Sequence, residues 1–187
     1  MENPIINALE RTPVIAATDR SGWQGAVLSE AEVLFHLGAD IITVGDDIAA
    51  AKQNGKFVFI HIDLADGIGK DRTGIEWLKK LGADGVISTR TQLIRAAHDN
   101  GLLAVQRFFM LDSKGMHSVA ETIENTRPDL IEIMPGVIPK ALKLFSRQEI
   151  PVIAGGLKTV AELAKKSVPS VNTRAGARSK LKLTAII

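Results

Sequence analysis

The sequence predicts an α/β fold, a compact (β/α)8 barrel of the TIM type. Short apolar runs alternate with helical patterns along the 187 residues, eight such runs can be counted, and most are continuous rather than alternating. Continuous apolar runs are typical of strands buried on both faces of a parallel sheet. A doubly wound sheet of six to eight strands is the alternative. No linker is evident, so we expect residues 1–187 to form a single domain.

The predicted strands are rich in Val, Ile and Phe, which favour sheets. In chain order they span residues 13–17, 32–37, 57–63, 84–88, 102–108, 130–134, 151–154 and, with the poorest apolar pattern, 170–173. Predicted helices span residues 42–54, 74–81, 91–100, 118–126 and 139–147, and Thr159 is expected to cap one more. Gly55, Gly82 and Gly101 follow the first three helices, as C-terminal capping glycines do.

Composition excludes several classes of protein. Apolar residues make up 45% of the chain and its net charge is +2, which excludes intrinsic disorder. The absence of cysteine excludes a disulfide scaffold and a thiolate zinc site. No apolar run approaches the roughly 20 residues that span a bilayer, and no secretory signal is evident. We therefore expect a soluble, cytoplasmic protein.

Polar residues or glycines end five consecutive predicted strands. They are His61 and Asp63, then Ser88 to Arg90, then Gln106 and Arg107, then Glu132, and finally Gly155 and Gly156. Ligands bind at the C-terminal ends of strands in barrels and in open α/β sheets alike, so we expect a small-molecule site there. His61 and Asp63 are predicted to share one face of their strand, because side chains alternate.

Glu132 lies between two isoleucines and cannot be buried without a partner. Arg90 or Arg107 is the expected partner if the role of Glu132 is structural. Contact with a ligand is the alternative, and the sequence leaves both open.

Gly155 and Gly156 are predicted to contact phosphate. Glycine lets the backbone approach an anion closely, and a helix that starts just downstream presents free N–H groups. Barrels often bind phosphate with the loops after their seventh and eighth strands. Gly155 and Gly156 follow the seventh predicted strand, and Asn172 and Thr173 end the eighth. These positions predict a phosphorylated ligand.

Five motifs together resemble the glycerol uptake operon antiterminator family, the GlpP proteins. They are HIDL, STR, QRFFMLDS, IEIMPG and AGGL, in that order within residues 55–160. The resemblance implies a TIM-barrel-like regulator, not an enzyme, that responds to glycerol 3-phosphate and binds the leader mRNA of a glycerol-utilisation operon. By position, Asp63, Arg90, Arg107 and Glu132 are candidate partners for the charge and hydroxyls of that effector. No cofactor is implied, and a homo-oligomer stays open.

The segment after AGGL departs from the family pattern. Only 15 residues separate Gly156 from Asn172, and Pro169 lies where the last strand should begin. We therefore expect the last β/α unit to be irregular. Glu162 is the last acidic residue, and residues 174–187 are expected to form a divergent basic tail. Such a tail can contact phosphate backbones, and a solvated terminus is the alternative.

An enzyme is the alternative function. The chain has no P-loop, GxGxxG, HExxH or GxSxG motif and no predicted metal site. His61, Asp63 and Glu132 could nevertheless perform acid–base chemistry. The alternative is therefore a TIM-barrel enzyme of the aldolase or isomerase class that acts on a small phosphorylated substrate.

Overall fold

A computed structural model of the protein describes residues 4–109, 115–135, 150–156 and 181–182. Within them, eight strands form one sheet in the order β1 to β8, and each strand pairs in parallel with the next. The strands are β1 Ile15–Thr18, β2 Val33–His36, β3 Phe57–His61, β4 Gly85–Ser88, β5 Leu103–Phe109, β6 Leu130–Met134, β7 Val152–Ala154 and β8 Leu181–Lys182.

This strand order decides between the two predicted architectures. A doubly wound sheet reverses its strand order at a switch point, whereas here the order follows the chain throughout. The seven strands that are longer than two residues curl into a TIM-barrel-like half-barrel. The prediction of an α/β barrel fold is confirmed.

Six α-helices and two 3₁₀ turns lie in the described residues. The helices are α1 Pro4–Arg11, α2 Trp23–Leu28, α3 Val44–Gln53, α4 Arg72–Lys80, α5 Thr91–Asp99 and α6 Gly115–Thr126, and the turns are Arg20–Gly22 and Ile62–Leu64. Gly55, Gly82 and Gly101 have φ of +70°, +93° and +65° just beyond α3, α4 and α5, which confirms their predicted capping role. None of these helices is long and apolar enough to cross a membrane.

Most predicted elements agree with the structure to within two or three residues. The sequence analysis missed α1 and α2. The third strand ends at His61 rather than at residue 63, because the chain turns into the 3₁₀ segment Ile62–Leu64. The predicted helix at 139–147, the cap at Thr159 and the strand at 170–173 lie outside the described residues. The eighth strand of the sheet is Leu181–Lys182, which lies within the predicted basic tail and pairs with β7.

The buried apolar residues form two clusters, one on each face of the sheet. The outer cluster lies between the strands and the surrounding helices. The inner cluster contains strand residues such as Phe35, Phe59 and Val105, together with Ile5 and Leu9 of α1. Among the residues whose burial the structure describes, apolar side chains pack the inner face along the strands, and the polar side chains His61, Arg107 and Glu132 lie buried near the C-terminal strand ends.

Candidate functional site

The last turn of the inner face, at the C-terminal ends of the strands, carries the candidate site. Along the observed register, His61 pairs with Ile87 of β4, Ile87 pairs with Val105 of β5, and Arg107 lies two positions beyond Val105, beside its partner Glu132 of β6. His61, Arg107 and Glu132 are all buried on the inner face. We call these three residues the polar layer.

Arg107 and Glu132 form a buried ion pair across β5 and β6. They are direct register partners, and their side chains are 6% and 0% exposed. Arg107 Nε donates to Glu132 Oε2 at 2.8 Å, and Nη2 donates to Oε1 at 3.3 Å. Of the two partners expected for Glu132, the structure therefore selects Arg107. The two-pronged geometry is the arrangement in which a guanidinium satisfies a carboxylate best.

Burial raises the pKa of Glu132, since a carboxylate loses its hydration on the inner face, and the Arg107 guanidinium opposes that rise. Space for the carboxylate comes from β7. A side-chain carbon at Gly155 would overlap Glu132 Oε1 and would lie 2.8 Å from Met134 Cγ. Gly155 therefore makes room for the acid of the pair.

His61 is held in its neutral form. Its side chain is 3% exposed, and burial and then the positive charge of Arg107 lower its pKa to about 4, against an opposing effect of Asp63. Among the described residues, no group forms a hydrogen bond with His61 Nδ1. A buried polar atom without a partner is costly, by about 1–3 kcal/mol, so this nitrogen is a candidate ligand contact.

Asp63 ties the end of β3 to the end of β4. Its carboxylate accepts hydrogen bonds from Ser88 Oγ at 3.0 Å, from the Thr89 N–H at 2.7 Å and from Thr89 Oγ1 at 3.0 Å. Arg90 Nε lies 3.4 Å from Asp63 Oδ1. Because these donors occupy the carboxylate, the described contacts of Asp63 are structural.

The prediction that Asp63 continues the strand on the same face as His61 is wrong. The strand stops at His61, and Asp63 lies within the following 3₁₀ turn. The turn brings the carboxylate to Ser88, whose hydroxyl also accepts a hydrogen bond from the Arg90 N–H at 3.0 Å. The hydrogen bonds that Asp63 accepts from these donors therefore favour the turn over an extended strand.

Gln106 points away from the polar layer. Because side chains alternate along β5, Gln106 lies on the opposite face from Arg107. Its Oε1 accepts a hydrogen bond from Thr126 Oγ1 of α6 at 2.6 Å, and its Nε2 has no partner among the described residues. The structure therefore does not bring this predicted residue to His61 and Arg107.

The predicted phosphate loop is described in part. The Gly155 N–H donates to the Ile133 carbonyl at 2.9 Å, so the sheet uses this amide. Gly156 is exposed and has φ of +77°, a backbone conformation that favours glycine. Asn172 and Thr173 lie outside the described residues. Gly156 therefore remains the candidate anion contact of this loop.

Two cavities lie elsewhere on the surface. One, of about 590 Å³, is lined by the outer face of β1 and by α2, including Ala16 and Ala26. The other, of about 360 Å³, lies between Arg20, Asp40 and Asp66 at the loops that follow β1, β2 and β3. Neither is lined by the polar layer. No cluster of three potential metal ligands occurs within the part of the chain that the structure describes.

The sequence analysis missed the spatial role of Gly155. It was predicted to contact phosphate together with Gly156, whereas a side chain there would overlap Glu132, 23 positions earlier. The spacing of Arg107 and Glu132 at the ends of neighbouring predicted strands was the available signal for their pairing.

Comparison with known proteins adds the family. The family model described as "Glycerol-3-phosphate responsive antiterminator" matches residues 14–174. An uncharacterized protein of Escherichia coli K12, YgcP, is 35% identical over 168 residues, which are 88% of each chain.

Two solved structures are also similar. A glycerol uptake operon antiterminator regulatory protein of Listeria monocytogenes is 29% identical, with a TM-score of 0.81 over 99% of this chain and 95% of that one. A glycerol uptake operon antiterminator-related protein of Thermotoga maritima is 31% identical, with a TM-score of 0.75 over 92% of both chains. Barrel enzymes at 12–14% identity show the fold alone.

Proposed function

This chain belongs to the glycerol-3-phosphate responsive antiterminator family, and from that premise we propose that it is a transcription antiterminator whose effector is glycerol 3-phosphate. In this proposal the effector binds at the C-terminal ends of the strands, and the liganded protein binds the leader mRNA of a glycerol-utilisation operon. A regulator of this kind acts where the mRNA is made, so we place it in the cytoplasm.

One observation within the molecule carries the effector part of the proposal. His61, Arg107 and Glu132 lie buried at the C-terminal strand ends, where barrels bind their ligands, and His61 Nδ1 lacks a partner among the described residues. Apolar side chains would cost less free energy at these three positions, since buried polar groups are unfavourable unless they are paired. A role in recognition accounts for the polar residues there.

A regulatory role is favoured over an enzymatic one. The family is regulatory rather than enzymatic. The acid–base candidates are also engaged, because Glu132 pairs with Arg107 and Asp63 accepts hydrogen bonds from Ser88 and Thr89.

The RNA part of the proposal is supported by the family and not by the charge of the described residues. These residues include 17 acidic and 13 basic side chains, which is an unfavourable balance for binding a polyanion. Of the six basic residues that follow Glu162, Lys182 lies in β8, and the other five are Lys165, Lys166, Arg174, Arg178 and Lys180. We propose that these five residues supply phosphate contacts.

The mechanism we propose is a population shift. The effector binds one arrangement of the loops at the strand ends better than another, and the RNA binds that same arrangement better. Coupling between two ligands is reciprocal, so RNA must also tighten the binding of effector by the same factor.

Thermal denaturation of the purified protein tests the effector. A ligand that binds only the folded state stabilises it by about 2.7 kcal/mol at 100 times its dissociation constant. We expect glycerol 3-phosphate to raise the midpoint of unfolding, and glycerol or inorganic phosphate at the same concentration to raise it much less. A cooperative transition that glycerol 3-phosphate leaves unchanged would contradict the proposed effector.

A further inference from the structure

We propose that His61, Arg107 and Glu132 form a subsite for the hydroxyl-bearing part of the ligand, and that the phosphate stays outside it at the rim of the barrel. The inference rests on the proposed function only for the identity of the effector. The subsite itself is argued from the contacts, burial and charges of these three residues.

His61 is neutral, and its Nδ1 has no partner among the described residues. A neutral imidazole carries one N–H donor and one nitrogen acceptor. Nδ1 is therefore a donor in one tautomer and an acceptor in the other, and a hydroxyl can form a hydrogen bond with it in either case. The side chain lies two positions beyond Phe59 on β3 and therefore points to the same inner face. The register of β3, β4 and β5 also places His61 and Arg107 in the same polar layer.

The three side chains of the subsite carry no net charge together. Arg107 and Glu132 neutralise each other at 2.8 Å, and His61 carries no charge at neutral pH. A hydroxyl can donate to a carboxylate and accept from a guanidinium, so it can join this pair without unbalancing it.

A phosphate dianion does not fit the same place. It would be desolvated beside the Glu132 carboxylate, while the matching guanidinium is already engaged by that carboxylate. Burial of a charge without a free counter-charge is strongly unfavourable. The rim offers better contacts for phosphate, since the side chain of Arg90 is 45% exposed and Gly156 is exposed.

Nuclear magnetic resonance of the histidine side-chain nitrogens tests the subsite directly. The full chain, labelled with ¹⁵N, is titrated separately with glycerol 3-phosphate, with glycerol and with inorganic phosphate. We expect the Nδ1 resonance of His61 to shift with the first two compounds and to stay in place with phosphate. His98, which is paired with Asp129 on the outside of the barrel, serves as the internal reference and should not shift.

Substitutions give a second readout that separates recognition from folding. Asparagine places a polar atom close to the position of the histidine Nδ1, whereas leucine of similar size does not. We expect His61→Leu to weaken the binding of glycerol 3-phosphate at least tenfold without weakening the binding of inorganic phosphate. We expect His61→Asn to restore most of the lost affinity. His98→Gln is the matched surface control and should bind as the unsubstituted protein does.

The possible results distinguish failure of the subsite from failure of the proposed effector. A shift of His61 with glycerol but no binding of glycerol 3-phosphate would support the subsite and contradict the effector. An equal shift with inorganic phosphate would overturn the subsite, because His61 would then contact the anion. Binding of glycerol 3-phosphate without any response of His61, and with unchanged affinity in His61→Leu, would also overturn it.

Discussion

The Glu132 carboxylate occupies the space on the inner face of the sheet that a side chain at Gly155 would need. A Cβ atom at residue 155 would overlap Glu132 Oε1 and lie 3.1 Å from Glu132 Cδ. Glu132 in turn is fully buried and is held by Arg107 on the neighbouring strand. Gly155, which follows β7, is therefore required for the ion pair between Arg107 of β5 and Glu132 of β6.

Gly155→Ala is therefore expected to destabilise the protein by about 1–3 kcal/mol, the usual cost of overpacking a filled core. The measurement is the free energy of unfolding in urea. Gly25→Ala is the control, because Gly25 lies within α2 and nothing lies within 4 Å of its added carbon. Alanine favours a helix, so the control should be neutral or more stable by up to about 1 kcal/mol. Equal effects of the two substitutions would refute the steric role of Gly155.

The Arg107–Glu132 pair makes a second prediction. Arg107→Met or Glu132→Leu alone leaves a buried charge without its partner and should cost about 3–5 kcal/mol. The double variant removes both charges and should be much less destabilised than the sum of the two single variants. A double-mutant cycle in urea measures this coupling. Additive losses would mean that the two side chains do not stabilise each other.

His61 predicts a dependence of stability on pH. Its pKa is about 4 in the folded protein and ordinarily about 6.5 when unfolded, so the unfolded chain binds the proton more readily. The contribution of neutral His61 is complete above pH 6.5 and is lost as the pH falls towards 4. Between pH 7.5 and pH 5, this one group should lower the free energy of unfolding by about 2 kcal/mol.

The check on this prediction is the same unfolding measurement on a histidine variant. Burial also lowers the pKa of His36, so some acid sensitivity should persist when His61 is replaced. His61→Asn should flatten the pH dependence by about the stated amount. A His61→Asn protein with the original pH dependence would contradict a neutral, buried His61.

Arg127 makes a prediction about the backbone. It follows α6 with φ of +46°, a left-handed conformation that costs a residue with a side chain about 1–2 kcal/mol. Its N–H donates to the Ile123 carbonyl as a helix-ending residue does. Arg127→Gly should raise the free energy of unfolding by about 0.5–1 kcal/mol, after the greater freedom of unfolded glycine is counted. Gly101→Ala, at φ +65°, should lower it, and stabilisation by that control would contradict the account.

The sequence was sufficient for the fold because its strands are locally encoded. A continuous apolar run such as residues 57–60 is typical of a strand buried on both faces of a parallel sheet, and Gly55, Gly82 and Gly101 mark where helices end. The helix α2 was missed because it is six residues long and contains Gly25, so its apolar period is too short to register.

The site was predictable at the level of strand ends and not at the level of contacts. Alternation along one strand explains why Arg107 faces inward and Gln106 outward, and it follows from the sequence once the strand is known. The turn that takes Asp63 off the strand depends on donors from Ser88 and Thr89, 25 and 26 positions later. Tertiary pairing of that kind leaves no periodic signal in the chain.

Reciprocal coupling between effector and RNA tests the central claim most directly. The affinity of the protein for glycerol 3-phosphate is measured by calorimetry, with and without a saturating leader RNA from a glycerol-utilisation operon. The account predicts that RNA tightens effector binding by about fivefold or more, and that effector tightens RNA binding by the same factor. An effector affinity that saturating RNA leaves unchanged would contradict a glycerol 3-phosphate-responsive antiterminator.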